Sequence, residues 1–200
     1  MTTLKKLKLT EKEYLSGEHL AELKHEFIDG EAYAMAGTSV DHNRISGNLY
    51  AELSMKLKGS SCEPFFADIK VKTDRSYFYP DVMVVCEQHQ DDTAYVKNAP
   101  KLIVEVLSKS TRVFDHSVKQ SRYLNIPSLE YYVLIEQDFC EVSVLSRAAG
   151  FIPQYYYLGD NIEFPLLELA VAVNDIYDRI DSEDKQLYLE KLINERLCSP

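Results

Sequence analysis

Two runs of the chain are almost unbroken in their apolar character, and each carries one acid. Tyr79-Pro80-Asp81-Val82-Met83-Val84-Val85 holds Asp81, and Leu102-Ile103-Val104-Glu105-Val106-Leu107 holds Glu105. Runs this apolar and this rich in β-branched residues read as central strands covered on both faces, the pattern of a sheet with layers on either side. A carboxylate in such a strand is costly to bury unless a charged group meets it. Two of them on separate strands could converge on one divalent cation, because hard cations favour carboxylate oxygens.

The rest of the pattern is consistent with one α/β domain over residues 1–200. Thr10-Glu11-Lys12-Glu13 has the capping-box spacing and predicts a short helix through Leu15, broken near Gly17, with a second helical stretch over about 18–24. Residues 25–35 read as a hairpin turning at Asp29-Gly30. A helix over 39–58 shows Ile45, Leu49, Leu53 and Leu57 at four-residue spacing and stops at Gly59. Phe65 to Lys72 alternates as one strand. A polar connection covers 88–100, a helix runs from 113 to 125 before Pro127, and strands follow at 131–135, 140–145 and 151–158. An amphipathic helix closes the chain at 182–197.

Composition excludes several classes. Of the 200 residues 46% are hydrophobic and 27% charged, as in ordinary globular proteins. No apolar run approaches the roughly 18 residues that span a bilayer. The basic start, Met1 to Lys8, has no signal-type apolar stretch behind it, so a cytoplasmic setting and no membrane partner are expected. A net charge of −10 speaks against a general nucleic-acid coat protein. The charge is uneven: residues 70–122 carry nine Lys/Arg against seven Asp/Glu, and this is the segment that holds Asp81 and Glu105. Cys62, Cys86, Cys140 and Cys198 form no CxxC pair, so core thiols are expected rather than a disulfide framework or zinc.

Pro80-Asp81 followed 24 positions later by Glu105 resembles the PD-(D/E)XK nuclease superfamily. The wider pattern resembles one branch of it, the Uma-two family of restriction endonucleases. The matching pieces are Lys24 to Glu31, Met35-Ala36-Gly37 with His42, Tyr79 to Val82, Val104 to Ser108 with Ser110-Thr111, Asp115 with Lys119 and Tyr123, and Glu130-Tyr131-Tyr132. They run in family order over about residues 10–175.

The resemblance implies a restriction endonuclease-like core, a central mixed β-sheet flanked by helices with N-terminal helices and a hairpin. It also implies an endonuclease hydrolysing DNA. Asp81, Glu105 and the backbone carbonyl of Val106 would bind Mg²⁺, for which Mn²⁺ may substitute, and Glu26 would supply a further acid. The superfamily's lysine stands two residues after the second acid, but here that residue is Leu107. Lys119 is the match on the following helix and would position the attacking water. Lys109 shares the strand parity of Glu105 but lies about 13 Å further on at roughly 3.3 Å per residue. His42, Lys109 and Gln120 are candidate substrate contacts, and a homodimer would suit cleavage of both strands. Other readings of the same residues stay open: Glu105 in a buried salt bridge with Lys119, Glu26 as a solvated hairpin residue, and a catalytically inactive binding or interaction module on the nuclease scaffold.

Overall fold

The computed structural model describes residues 8–35 and 37–198. The basic start at 1–7 and Ala36 of the Met35-Ala36-Gly37 piece lie outside the described residues.

The two apolar runs form β6 (Val82–Val85) and β8 (Pro100–Leu107), which pair antiparallel at the centre of a six-stranded sheet. Its order is β11 (Pro153–Tyr157), β10 (Glu141–Ser146), β9 (Tyr131–Glu136), β8, β6 and β3 (Glu63–Phe66). Only β8 and β9 run parallel, so the sheet is mixed. Alternate side chains face two different cores, as a period of two requires. Val82, Val84, Val104, Val106, Val133 and Ile135 pack with Ile45, Leu49, Leu53 and Leu57 of α2 (Val40–Lys56) and the residue after it. Met83, Ile103, Leu107, Tyr132 and Leu134 face the opposite way, onto Val71, Phe78 and Tyr123. Ser39 caps α2 by accepting from the His42 N–H. A hairpin of β12 (Asn161–Phe164) and β13 (Leu169–Ala172), followed by α5 (Val173–Ile176), completes the α2 side.

A second sheet covers the other face. Its order is β2 (Glu31–Ala34), β1 (His25–Ile28), β5 (Ser76–Phe78), β4 (Lys70–Thr73) and β7 (Val96–Lys97). The β1–β2 hairpin turns at Asp29 and Gly30 with φ of 48° and 96°, the paired left-handed conformation that suits a two-residue turn. α1 (Glu11–Glu18) lies across this sheet, stacking Tyr14 on Phe27 and tilting it against Tyr77.

Four expectations change. The alternating stretch 65–72 is two strands in two sheets, because Ala67 and Asp68 turn the chain with φ of 51° and 52°. Residues 19–24 form a non-helical turn, and α1 continues through Gly17 to Glu18. The connection 88–100 contributes β7. Cys62 and Cys86 extend the β3–β6 ladder by one register step and are joined as a disulfide, whereas Cys140 is a buried thiol. The C-terminal helix, α6, runs Glu183–Cys198.

Candidate active site

Asp81 follows Pro80, which cannot donate to a ladder, at the point where the chain leaves β5 and enters β6. Its own N–H donates to Val104 O (3.1 Å), and its carbonyl accepts from the Ala67 N–H (3.3 Å). The backbone is therefore anchored to β8 on one side and to the end of β3 on the other. The side chain is held at both oxygens. Oδ2 accepts from the Val106 N–H at 2.7 Å, and Oδ1 lies 2.8 Å from Nε2 of His42, one turn into α2.

Glu105 sits mid-strand in β8 and faces the second sheet. It is 3% exposed. Oε1 accepts from the Tyr123 hydroxyl at 2.8 Å, and Oε2 accepts from Lys119 Nζ at 3.2 Å. Lys119 also lies 2.9 Å from Glu26 Oε1 and 3.3 Å from Asp115 Oδ1. An ammonium has three donors, and here three buried carboxylates surround it. Glu26 Oε1 and Asp115 Oδ1 meet it as ion pairs without an aligned hydrogen bond.

The expected helix at 113–125 is built in three pieces, α3 (Arg112–Phe114), a π-helical turn at Asp115–Lys119 and α4 (Gln120–Tyr123). Asp115, Lys119 and Tyr123 are four residues apart and reach the sheet from one face of this segment. Single π turns inside helices recur at functional sites. Tyr132 on β9 donates to the Asp115 carbonyl (3.2 Å) beside that turn.

Burial pushes the Glu105 carboxyl well above the usual carboxylate range; Lys119 opposes that, while Asp115, Asp81 and Glu26 add to it. Burial raises Glu26 in the same way, against the pull of Lys119. Burial alone would lower Lys119, but Glu105, Glu26 and Asp115 outweigh it, so the ammonium is held more firmly than an ordinary lysine. Four carboxylates thus gather around one ammonium and one imidazole. The set attracts further positive charge, whether a proton or a metal cation.

Most of the expected site residues therefore meet. Glu26, Glu105 and Lys119 form one buried cluster, while Asp81 pairs with His42 beside it and accepts from the Val106 N–H. Glu26 is 7% exposed, so it is no solvated hairpin residue. Lys109 is exposed in the turn beyond the end of β8, where strand parity no longer applies. Gln120 is half-buried next to Lys119, and no hydrogen bond joins its side chain to the cluster. Asp115 and Tyr123 belong to the same family piece as Lys119, and the structure adds their contacts with Lys119 and Glu105. The signal was their spacing, four residues either side of Lys119.

Among the described residues, no three His, Cys, Asp or Glu side chains form a ready-made metal cage. That does not conflict with Mg²⁺, which usually takes one or two protein carboxylates and keeps several waters. The residues fit such a cation through their surplus of carboxylates.

A mixed sheet with two acids at neighbouring strands and a lysine behind them defines a restriction endonuclease-like fold. The model of the Uma2 family, described as "Putative restriction endonuclease", matches residues 12–174, and the chain belongs to that family. It is 42% identical over 136 residues to the uncharacterized protein sll1609 of Synechocystis sp., covering 66% of this chain and 76% of that one. It is 33% identical over 174 residues to the uncharacterized protein slr1290 of the same organism, covering 85% of this chain and 92% of that one. Its fold is similar to a crystal structure described as a putative nuclease belonging to DUF820 from Anabaena variabilis. That match has a TM-score of 0.68 at 17% identity and covers 84% of this chain and 97% of the other. Among the described residues no helix is long and apolar enough to cross a membrane.

Proposed function

We propose that the protein is a metal-dependent endonuclease that hydrolyses DNA phosphodiester bonds, on a PD-(D/E)XK arrangement whose lysine has moved to a helix. The observation that carries this reading is the surplus of carboxylates: Glu26, Glu105 and Asp115 are buried around Lys119, with Asp81 beside them, and among the described residues Lys119 is the one ammonium in the set. Asp81, Glu105 and the carbonyl of Val106 would hold Mg²⁺ or Mn²⁺, with Glu26 assisting. A bound divalent cation supplies Lewis acidity toward a phosphoryl oxygen and acidifies water.

The chain's own residues have distinct tasks in this reading. The Val106 N–H and His42 fix both oxygens of Asp81, so its remaining lone pairs keep one direction. Tyr123 fixes Glu105 from the opposite side. Lys119 donates to Glu105 and is held by ion pairs with Glu26 and Asp115 in this arrangement. With the charges of Glu26 and Glu105 shared with a cation, Lys119 would have donors for the attacking water and for charge developing on phosphate. A homodimer would bring two such sites to the two strands of a duplex.

A second reading is a catalytically inactive binding or interaction module. It is favoured by the lack of a preformed metal cage among the described residues and by the net charge of −10. Supercoiled plasmid incubated with Mg²⁺ or Mn²⁺ separates the two. Nicking or linearisation that falls by on the order of 10² to 10³ in Asp81→Ala and in Lys119→Ala is the expected result. An inert wild type that also fails to bind Mn²⁺ in a calorimetric titration would leave the binding module.

A further inference from the structure

The second sheet contains a buried cation that the cluster does not use. Lys70, the first residue of β4, is 7% exposed. Its Nζ lies 4.9 Å from the centre of the Tyr79 ring, and among the described residues no carboxylate stands within ion-pair distance of it. The neighbouring acid, Glu18, is already committed to the His25 N–H (2.7 Å), His25 Nδ1 (3.1 Å) and the Tyr79 hydroxyl (2.9 Å). Burial lowers the Lys70 pKa; Glu18 pulls it back, and Lys24 lowers it further. Lys24 is a second cation over the same ring, at 6.0 Å, retained by a contact of 3.9 Å with exposed Asp68. An aromatic face holds a cation in place but leaves its charge uncompensated.

Position gives these lysines a purpose. Continued one step past β5, the β4–β5 register sets Lys70 opposite Tyr79, two residues before Asp81. Ala67, whose N–H bonds the Asp81 carbonyl, is three residues from Lys70, a span of at most about 10 Å. Lys24 precedes β1, whose second residue is Glu26. Both lysines therefore stand at the end of the second sheet where Asp81 and Glu26 lie, with Lys70 on the α1 face of that sheet.

Building on the nuclease reading, we infer that Lys70 and Lys24, seated on Tyr79, form a phosphate-binding subsite that grips the nucleic-acid backbone beside the scissile bond. An anionic phosphate supplies the missing partner for Lys70, and it displaces Asp68 from Lys24 because that surface pair is weak.

The test is binding of a fluorescent oligonucleotide, single-stranded and duplex, to the full chain in EDTA across a salt series. Lys70→Met should weaken binding about tenfold and Lys24→Met severalfold, each lowering the slope of log affinity against log salt by about one. Lys70→Met should melt no lower than wild type, because methionine keeps the apolar stem and removes a buried charge. Affinity and slope unchanged in both variants would overturn the subsite, as would a wild type that binds no oligonucleotide. A Lys70→Met protein that melts lower, beside a Lys24→Met protein that binds normally, would mark Lys70 as structural and overturn it too. Plasmid cleavage and Mn²⁺ titration report separately on the nuclease reading. Cleavage by wild type with unaltered binding in both variants removes the subsite alone. Weakened binding in both variants with no cleavage by wild type keeps the subsite and removes the nuclease.

Discussion

Lys119 is the residue on which the buried cluster balances. Removing one partner of a buried ion set leaves the others uncompensated, which costs about 3–5 kcal/mol. Lys119→Met should lose stability of that order in urea melts at neutral pH, with a smaller loss in acid, where the orphaned carboxylates can take up protons. The pH dependence of the metal-free wild type has a definite sign. Glu26 and Glu105 have folded pKa values raised above the ordinary 4.5. The native state therefore binds more protons than the unfolded chain, so their contribution is complete below that value and is lost as pH rises through the folded values. Melting temperature should fall as pH rises above the ordinary carboxyl value of 4.5, and Glu105→Gln should flatten the slope. A slope identical in wild type and Glu105→Gln would show that this carboxyl is not the titrating group. Asp81 and Glu105 announced themselves as acids in apolar strands. Asp115 did not, because an acid on a short polar helix looks like a solvated one until the sheet behind it is in place.

Two elements carry predictions of their own. α2 presents Ile45, Leu49 and Leu53 to the six-stranded sheet, and Leu53 is fully buried. Leu53→Ala should cost about 2–5 kcal/mol through lost burial and the cavity left behind, read as a lower urea midpoint with an unchanged m-value. The β3–β6 ladder is clamped by Cys62–Cys86, which joins positions 24 residues apart. Reduction, or Cys62→Ser with Cys86→Ser, should cost about 2–4 kcal/mol, measured by melting with and without dithiothreitol. A disulfide is uncommon in a reducing cytosol, so this bridge and the expected cytoplasmic setting pull in opposite directions. The four-residue stripe of α2 was legible because an amphipathic helix carries its own period. The split of 65–72 into two strands was not. Alternation continues straight through the turn at Ala67 and Asp68, where no glycine or proline marks the left-handed residues.

At the scale of the molecule, the charge of −10 opposes approach to nucleic acid, while the local cations at 24 and 70 and a divalent ion on the proposed carboxylate site would favour it. Affinity for DNA should be weak in EDTA and should strengthen in Ca²⁺, a divalent ion for the same oxygen ligands; the salt series above, repeated with Ca²⁺ in place of EDTA, measures the change. An affinity indifferent to Ca²⁺ would separate DNA binding from the carboxylate site. By itself the sequence determined the class of fold, the central strands, the helix that backs them and the two acids, because burial and periodicity are written locally along the chain. Its family pattern also pointed to Lys119. Only the tertiary structure decided which groups meet: that His42 reaches Asp81, that Asp115 and Tyr123 join Lys119 on Glu105, that Cys62 bonds Cys86, and that Lys70 lies buried on an aromatic ring. Apart from the four-residue steps between Asp115, Lys119 and Tyr123, these are contacts between residues separated in the chain. Each is settled by register and by the way two sheets and a helix close over one another, and no local pattern encodes that closure.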